Sequence, residues 1–388
     1  MPGQRVSRAE DTRKESRVRI ATIALFALAM LAAGTLHAES RLLRGTVGKY
    51  PIVMQLDESD GDVSGTYFYE KYKQDIPLRG APDKQGYKLS SAAYDSDQAK
   101  SDHFLLSKTG DGFKGSFTSG KGTSMPVELH AVAAGSVQAP RPDLKFARPL
   151  PDYEKLRLAD LHVVPGKQET VGGKYQIQWF SEPLSKVSMF HVTGGYPDAA
   201  MAAINRTIDA GFYTGLQSYF GCANGEGGSG VEALEVSSHY LNERFVSYAV
   251  SSSWSCYGAA HPDFSVDGTT IDAVTGKGLA LEDLYWLGTG NKPAEHSDAW
   301  FQYREKVYAP AVVKLLQRLY PDAMKGGDGD GCDYTDPGVW DFGPWYLTDK
   351  GLYVGAYFAR VARNCDNPDW SVIPYSVLKK NNPALFGH

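Results

Sequence analysis

The chain has 388 residues, with 40 basic and 45 acidic side chains and a formal charge of −5. Its composition, 42% apolar and 22% charged, is that of an ordinary folded protein with length enough for two or three domains and sizeable cores. Six of the basic and three of the acidic residues fall in residues 1–38, so the remainder carries −8, which argues against nucleic-acid and anionic-membrane partners.

The N-terminus reads as an export signal. Arg5, Arg8, Arg13, Lys14, Arg17 and Arg19 precede an apolar run over residues 20–34. A basic stretch, a short apolar core and the small residue Ala38 predict cleavage after position 38. The run is shorter than the about 20 residues a spanning helix needs, and a retained anchor is the alternative. No cysteine lies near the cut, so no lipid anchor is expected. The predicted location is periplasmic or secreted, with no membrane attachment once the signal is gone.

Residues 39–134 read as a small all-β domain, a barrel or a sandwich. Short apolar runs cover residues 43–56, 63–69, 76–78, 87–89, 104–106, 113–117 and 125–129. Polar turns such as Asp60-Gly61 and Gly110-Asp111-Gly112 separate them. A half-repeat is visible: Val63-Ser64-Gly65-Thr66-Tyr67 matches Phe113-Lys114-Gly115-Ser116-Phe117, each with a glycine inside a strand. Tyr67, Tyr69, Lys71 and Tyr72 could form a ligand surface, but cross-strand packing explains the aromatics better. The runs Gly48-Lys49-Tyr50-Pro51 and Gly65-Thr66-Tyr67-Phe68-Tyr69 resemble a β module of other envelope proteins, which implies no activity. Residues 135–155 form a linker, because Pro140, Pro142, Pro149 and Pro151 oppose helix.

Residues 156–388 predict an α+β domain with an antiparallel sheet and two helices. Residues 161–164 and 175–180 read as a strand pair. Met201, Ile204, Ile208, Phe212, Leu216 and Tyr219 recur at three- and four-residue steps, giving a helix over residues 197–220. The glycine-rich stretch 225–230 follows a helix and precedes a strand, the wrong order for a phosphate cradle. Val246, Tyr248, Val250, Ser252, Trp254 and Cys256 alternate along a half-buried strand. A second helix covers residues 297–320, with Trp300, Tyr303, Val307, Val312, Leu315, Leu316 and Leu319 inward and a kink at Pro310. Residues 326–336 are rich in Gly and Asp but lack the order of a calcium loop. A hairpin over residues 345–354 and a closing strand over residues 373–378 complete the domain.

The stretch around the alternating strand resembles a known family. Tyr257, Gly258, Ala260-His261-Pro262, Ile271-Asp272, Thr275-Gly276-Lys277 and Leu281-Glu282-Asp283-Leu284 follow, in order, the pattern of the RsiV-type C-terminal domain of bacterial envelope proteins. With its flanks the resemblance covers about residues 156–380. It implies extracytoplasmic ligand binding and no general catalytic role. In one anti-sigma factor such a domain binds lysozyme, and in some deacetylases it is an accessory module. Ala362-Arg363-Asn364-Cys365-Asp366-Asn367 stands where the family has an aromatic, proline-containing segment, which puts a transferred partner in question.

Cys222, Cys256, Cys332 and Cys365 in an exported chain predict two disulfides. Three pairings are possible, and the local one, Cys222 with Cys256 and Cys332 with Cys365, is expected. No close Cys/His cluster favours zinc instead. Trp254, Tyr257, His261 and Asp272 are the candidate ligand-binding residues, with no catalytic residue, metal or cofactor expected. His261 sits in a turn of small residues and is expected to lock it by bonding to backbone. The expected function is a periplasmic binding protein for an envelope ligand, a lysozyme-like protein or a cell-wall glycan. The alternative is an envelope hydrolase using His261 with a nearby acid or with Ser252, Ser253 or Ser255, although no G-x-S-x-G elbow is present.

Overall fold

A computed structural model describes residues 39–91, 101–224, 229–325 and 331–387. The export signal therefore lies outside the described residues. So do residues 225–228 of the glycine-rich stretch and 326–330 of the Gly/Asp-rich loop.

The N-terminal region is a closed barrel of eight antiparallel strands. They are β1 (Glu39–Val47), β2 (Tyr50–Ser59), β3 (Asp62–Tyr69), β4 (Ile76–Pro82), β5 (Gly86–Ser90), β6 (His103–Thr109), β7 (Gly112–Thr118) and β8 (Ser124–Ala131). Closure is made by β8 on β1, from Leu43↔Ala131 to Val47↔Val127. The apolar run over residues 43–56 is thus two strands, turned at Gly48-Lys49, where Gly48 takes a φ of 58°. Gly65 and Gly115 explain the half-repeat. A Cβ on Gly65 would lie 2.1 Å from the Gln55 carbonyl oxygen of β2, and on Gly115 1.9 Å from that of Leu105 in β6. Each glycine lets adjacent backbones close the tight cylinder.

Among the described residues, apolar side chains pack the barrel interior. Tyr67 packs edge-on against Phe104 at 5.2 Å, and Phe104 against Phe117 at 5.0 Å. Phe68, on the other face of β3, is equally buried, under helix α1 (Asp152–Leu158), whose Tyr153 ring lies 5.1 Å away. That helix occupies the end of the proline-rich segment. Pro151 stands just before it, where a missing N–H costs nothing.

The C-terminal region has three small sheets. The first is β9 (Val164–Val171), β10 (Tyr175–Ser181) and β11 (Ser188–Gly194), in the order β11-β10-β9. Helix α2 (Asp198–Gly221) follows and buries Ile204, Ile208, Phe212 and Leu216 as its spacing predicts. At its end Phe220, rather than Tyr219, takes the inward position. The second sheet is β12 (Gly230–Leu241), β13 (Phe245–Ser255) and β14 (Asp263–Asp272). Its β13 serves two cores. Val246 and Tyr248 face the α2 side, whereas Phe245 joins a cluster with Leu347 and Leu352.

That second cluster is built by α3 (Leu281–Leu284), α4 (Asp298–Tyr303), a π turn over Arg304–Tyr308 and α5 (Ala309–Leu319). The third sheet, β15 (Trp345–Leu347), β16 (Gly351–Val354) and β17 (Val372–Pro374), joins it, followed by α6 (Tyr375–Asn381) and α7 (Pro383–Phe386). The π turn corrects the expected stripe. It ends two residues before Pro310, which has no N–H for an ordinary helical bond. The wide turn shifts the phase by one residue, so Tyr308 is 2% exposed and Val307 41% exposed. The expected closing strand continues only to Pro374 and becomes helical from Tyr375. The whole is α+β and rich in strands, with more short helices than the two expected. Among the described residues no helix is long and apolar enough to cross a membrane.

Barrel and C-terminal region meet at the end of α2. Gln74 Nε2 donates to the carbonyl oxygens of Phe220 at 3.1 Å and Cys222 at 2.7 Å. The Asp75 amide donates to Phe220 at 2.9 Å. These bonds satisfy carbonyls that a helix C-terminus leaves without internal partners. Beside them Arg157 is fully buried between the rings of Phe68 and Tyr153, ion-paired to Asp75 at 2.6 Å and Glu154 at 3.2 Å.

Candidate functional site

Helix α2 crosses the second sheet, and small residues on one of its faces leave a groove of ≈ 480 Å³. Gly211, Thr214, Gly215 and Ser218 form the helix wall. Leu234, Tyr248, Val250 and Trp254 supply the apolar side of the sheet. A Cβ on Gly215 would meet Leu234 Cδ2 at 3.4 Å, and one on Gly211 would meet Tyr248 Oη at 3.1 Å. Larger side chains at these two positions would fill the space. Its volume lies within the range of small-ligand sites, about 300–1,000 Å³.

The Cys222–Cys256 disulfide lines one end of the groove and ties the end of α2 to the end of β13. The second bridge is Cys332–Cys365. Both are the local pairs expected from the sequence.

The polar groups of the groove are arranged as a rail along one side. Ser252 Oγ and Ser265 Oγ are 2.9 Å apart across β13 and β14, and Ser265 Oγ donates to Asp267 Oδ2 at 2.9 Å. A carboxylate only accepts, so the chain of donation runs from Ser252 through Ser265 to Asp267. On the helix wall, Thr214 donates to the Ala210 carbonyl at 2.9 Å and Ser218 to that of Thr214 at 3.2 Å. Those hydroxyl protons are spent on the helix itself, which leaves that wall largely apolar. Burial pushes the Tyr248 phenol up to about 12, so it stays neutral at physiological pH.

The four candidate residues do not converge. Trp254 lines the groove. Tyr257 lies just past the end of β13, and its amide donates to the Ala223 carbonyl at 2.8 Å. Asp272 is at the far end of the pair, since Trp254 faces Asp263 in register while Phe245 faces Asp272. Its carboxylate is buried, accepts from the amides of Val274 and Thr275 at 2.9 and 3.0 Å, and ion-pairs with Arg244 at 2.7 Å. Asp272 therefore shapes the Thr275-Gly276-Lys277 turn.

His261 is exposed and makes no hydrogen bond or ion pair with any described residue. The expected imidazole-to-backbone lock is absent. The turn is held by the Ala259 amide on the Cys256 carbonyl at 3.0 Å, by Gly258 at a φ of 77°, and by Arg360 donating to the Pro262 carbonyl at 2.7 Å. Backbone and a distant arginine do what the histidine was expected to do. Asp263 is likewise engaged elsewhere, with Arg363 at 3.0 Å. The Arg363 guanidinium also lies between the rings of Phe264 and Tyr357. The segment over residues 362–367 thus clips onto the start of β14.

Sequence reading did not anticipate Thr214, Gly215, Ser218 or Leu234. A signal was present: Gly211, Thr214, Gly215 and Ser218 are small residues at helical spacing, offset from the apolar stripe. Among the described residues no group of three or more His, Cys, Asp or Glu is placed to hold a metal ion. No family model matches the chain, and no curated protein is similar enough to match it.

Proposed function

We propose that the chain is an exported envelope protein that binds a ligand in the α2 groove and performs no catalysis of its own. The ligand class follows the RsiV-type resemblance: a protein such as lysozyme, or a cell-wall glycan. The observation that carries the reading is the groove itself, with one aromatic wall, one small-residue wall and a short polar rail. Such a lining holds an apolar part of a partner and orients it through few polar contacts. Two disulfides suit an oxidising compartment, and the Cys222–Cys256 bridge fixes the groove's end.

A hydrolase needs its base within hydrogen-bond reach of its nucleophile. His261 bonds to neither a serine nor an acid, and the Ser252 chain ends at Asp267 with no imidazole in it. The geometry therefore favours binding over hydrolysis.

The test is titration calorimetry with lysozyme and with soluble wall-glycan fragments, using wild type, Gly215→Leu and Trp254→Ala. Filling the groove or removing its aromatic wall weakens binding about tenfold or more. Full affinity in both variants overturns the assignment to this groove. Glycan cleavage by the wild type that is lost in His261→Ala overturns the reading without catalysis.

A further inference from the structure

A second concavity, of ≈ 440 Å³, lies beside the Thr275-Gly276-Lys277 turn. It shares no lining residue with the groove, although both use α2. Arg206 and Thr207 of α2 form one side, Thr275 and Lys277 of the turn another, and Asp143 and Lys145 the rim.

The turn is fixed in place. Gly276 takes a φ of 68°, and a Cβ there would lie 2.3 Å from Ala203 Cβ. Only glycine allows this approach to the helix. Thr207 Oγ1 donates to the Gly276 carbonyl at 2.7 Å, and Asp272 caps the turn from below. Lys277 is thereby presented beside α2, close to Arg206.

The charges are unbalanced. Lys145, Arg206 and Lys277 are exposed, and none makes an ion pair among the described residues. Asp143 is the acid of the pocket, and Arg141, which also pairs with Asp209 at 3.0 Å, holds both its oxygens, at 2.9 and 2.8 Å. The Arg141 guanidinium, with a smaller contribution from the Arg206 charge, keeps that carboxyl below its usual range. Three cations therefore line one concavity that holds a single carboxylate, on a chain whose formal charge is −5. Thr275 Oγ1 accepts from the Lys277 amide at 3.4 Å and keeps its own proton to donate.

We propose that this pocket binds a phosphate group. A carboxylate brings one charge, whereas a phosphate monoester brings about −1.5 to −2 and three acceptor oxygens. Arginine offers a planar fork to two of those oxygens, and lysines add point charges. The group can come from free phosphate or from a phosphorylated sugar, and binding through either uses the same contacts.

The test is calorimetric titration of the full chain, purified after export, with inorganic phosphate and with glucose 6-phosphate. Saturable binding is expected, weakening as sodium chloride is added. Arg206→Gln and Lys277→Gln each weaken it about tenfold, and the double variant abolishes it. Lys174→Gln, on another turn, leaves it unchanged, and thermal melts of all variants match wild type. Tighter binding of glucose 6-phosphate assigns the sugar-borne source, and equal or weaker binding assigns free phosphate. No saturable binding in wild type, or unchanged affinity in the double variant, overturns the proposal. Gly215→Leu leaves phosphate binding intact, so this site and the groove succeed or fail separately.

Discussion

The barrel and the C-terminal region solve the same physical problem in opposite ways. In the barrel every strand is paired on both sides and the inward residues fill the cylinder. Closure satisfies the backbone and the core at once. The C-terminal sheets have three strands each and remain open, so helices must cover them. A helix covers a twisted sheet imperfectly. Where α2 carries Gly211, Thr214, Gly215 and Ser218, the uncovered strip becomes the groove. The barrel's contribution is indirect: through Gln74 and Asp75 it caps the end of α2 that carries Cys222 and closes the groove.

The junction between the two regions gives the largest expected effect. Arg157 is buried, and it neutralises Asp75 and part of the Glu154 charge. Arg157→Met keeps the packing volume and leaves those carboxylates without their partner. Breaking a buried pair in this way costs about 3–5 kcal/mol. Urea unfolding at pH 7 measures it, and a loss below about 1 kcal/mol would show that the barrel does not depend on this contact.

The same junction makes stability depend on pH. Burial pushes the Glu154 carboxyl from an ordinary 4.5 up to about 7, with Arg157 opposing the shift and Asp75 adding to it. Burial raises the Asp75 carboxyl as well. Below pH 4 folded and unfolded chains both hold the Glu154 proton. Between about 4.5 and 7 the unfolded chain releases it while the folded chain keeps it, so stability falls as pH rises through that window. The fall from this group is on the order of 3 kcal/mol, complete above pH 7. Glu154→Gln removes it. Unfolding midpoints at pH 4.5, 6 and 7.5 should spread less in the variant than in wild type, and an equal pH slope in both proteins would assign the dependence elsewhere.

What the sequence revealed follows the range of the interactions involved. Local alternation marked β13, and short polar turns marked the barrel strands. Barrel closure was not legible, because β8 meets β1 across the whole domain and either a barrel or a sandwich has the same local pattern. The first two strands fused into one run because only Gly48 and Lys49 divide them. Strand β11, with Met189, Phe190 and Val192 buried, was not anticipated. The π turn was foreshadowed by Pro310 as a kink, but its phase shift was not. Of the groove, only Trp254 was named as a ligand contact. A groove depends on which face of α2 meets which strand, and that register is tertiary. The acid expected near His261 has two candidates close by in sequence, Asp263 and Asp272, and these lie at the two ends of one 10-residue strand.

The smallest expected effect concerns that histidine, and it sharpens the contrast between held and unheld elements. A buried group whose partner is removed costs about 1–3 kcal/mol. An exposed side chain with no partner costs far less, usually within about 0.5 kcal/mol. His261 belongs to the second kind, since the turn's bonds run between backbone groups and Arg360. Thermal melts of His261→Ala, His261→Gln and His261→Asn should therefore coincide with wild type. Arg360→Ala, which strips the donor from the Pro262 carbonyl, should lower the melting temperature more than any of the three. A pattern in which alanine destabilises and the two amides partly recover would mean that the imidazole does bond to backbone in solution, and the turn would then have to be assigned to it after all.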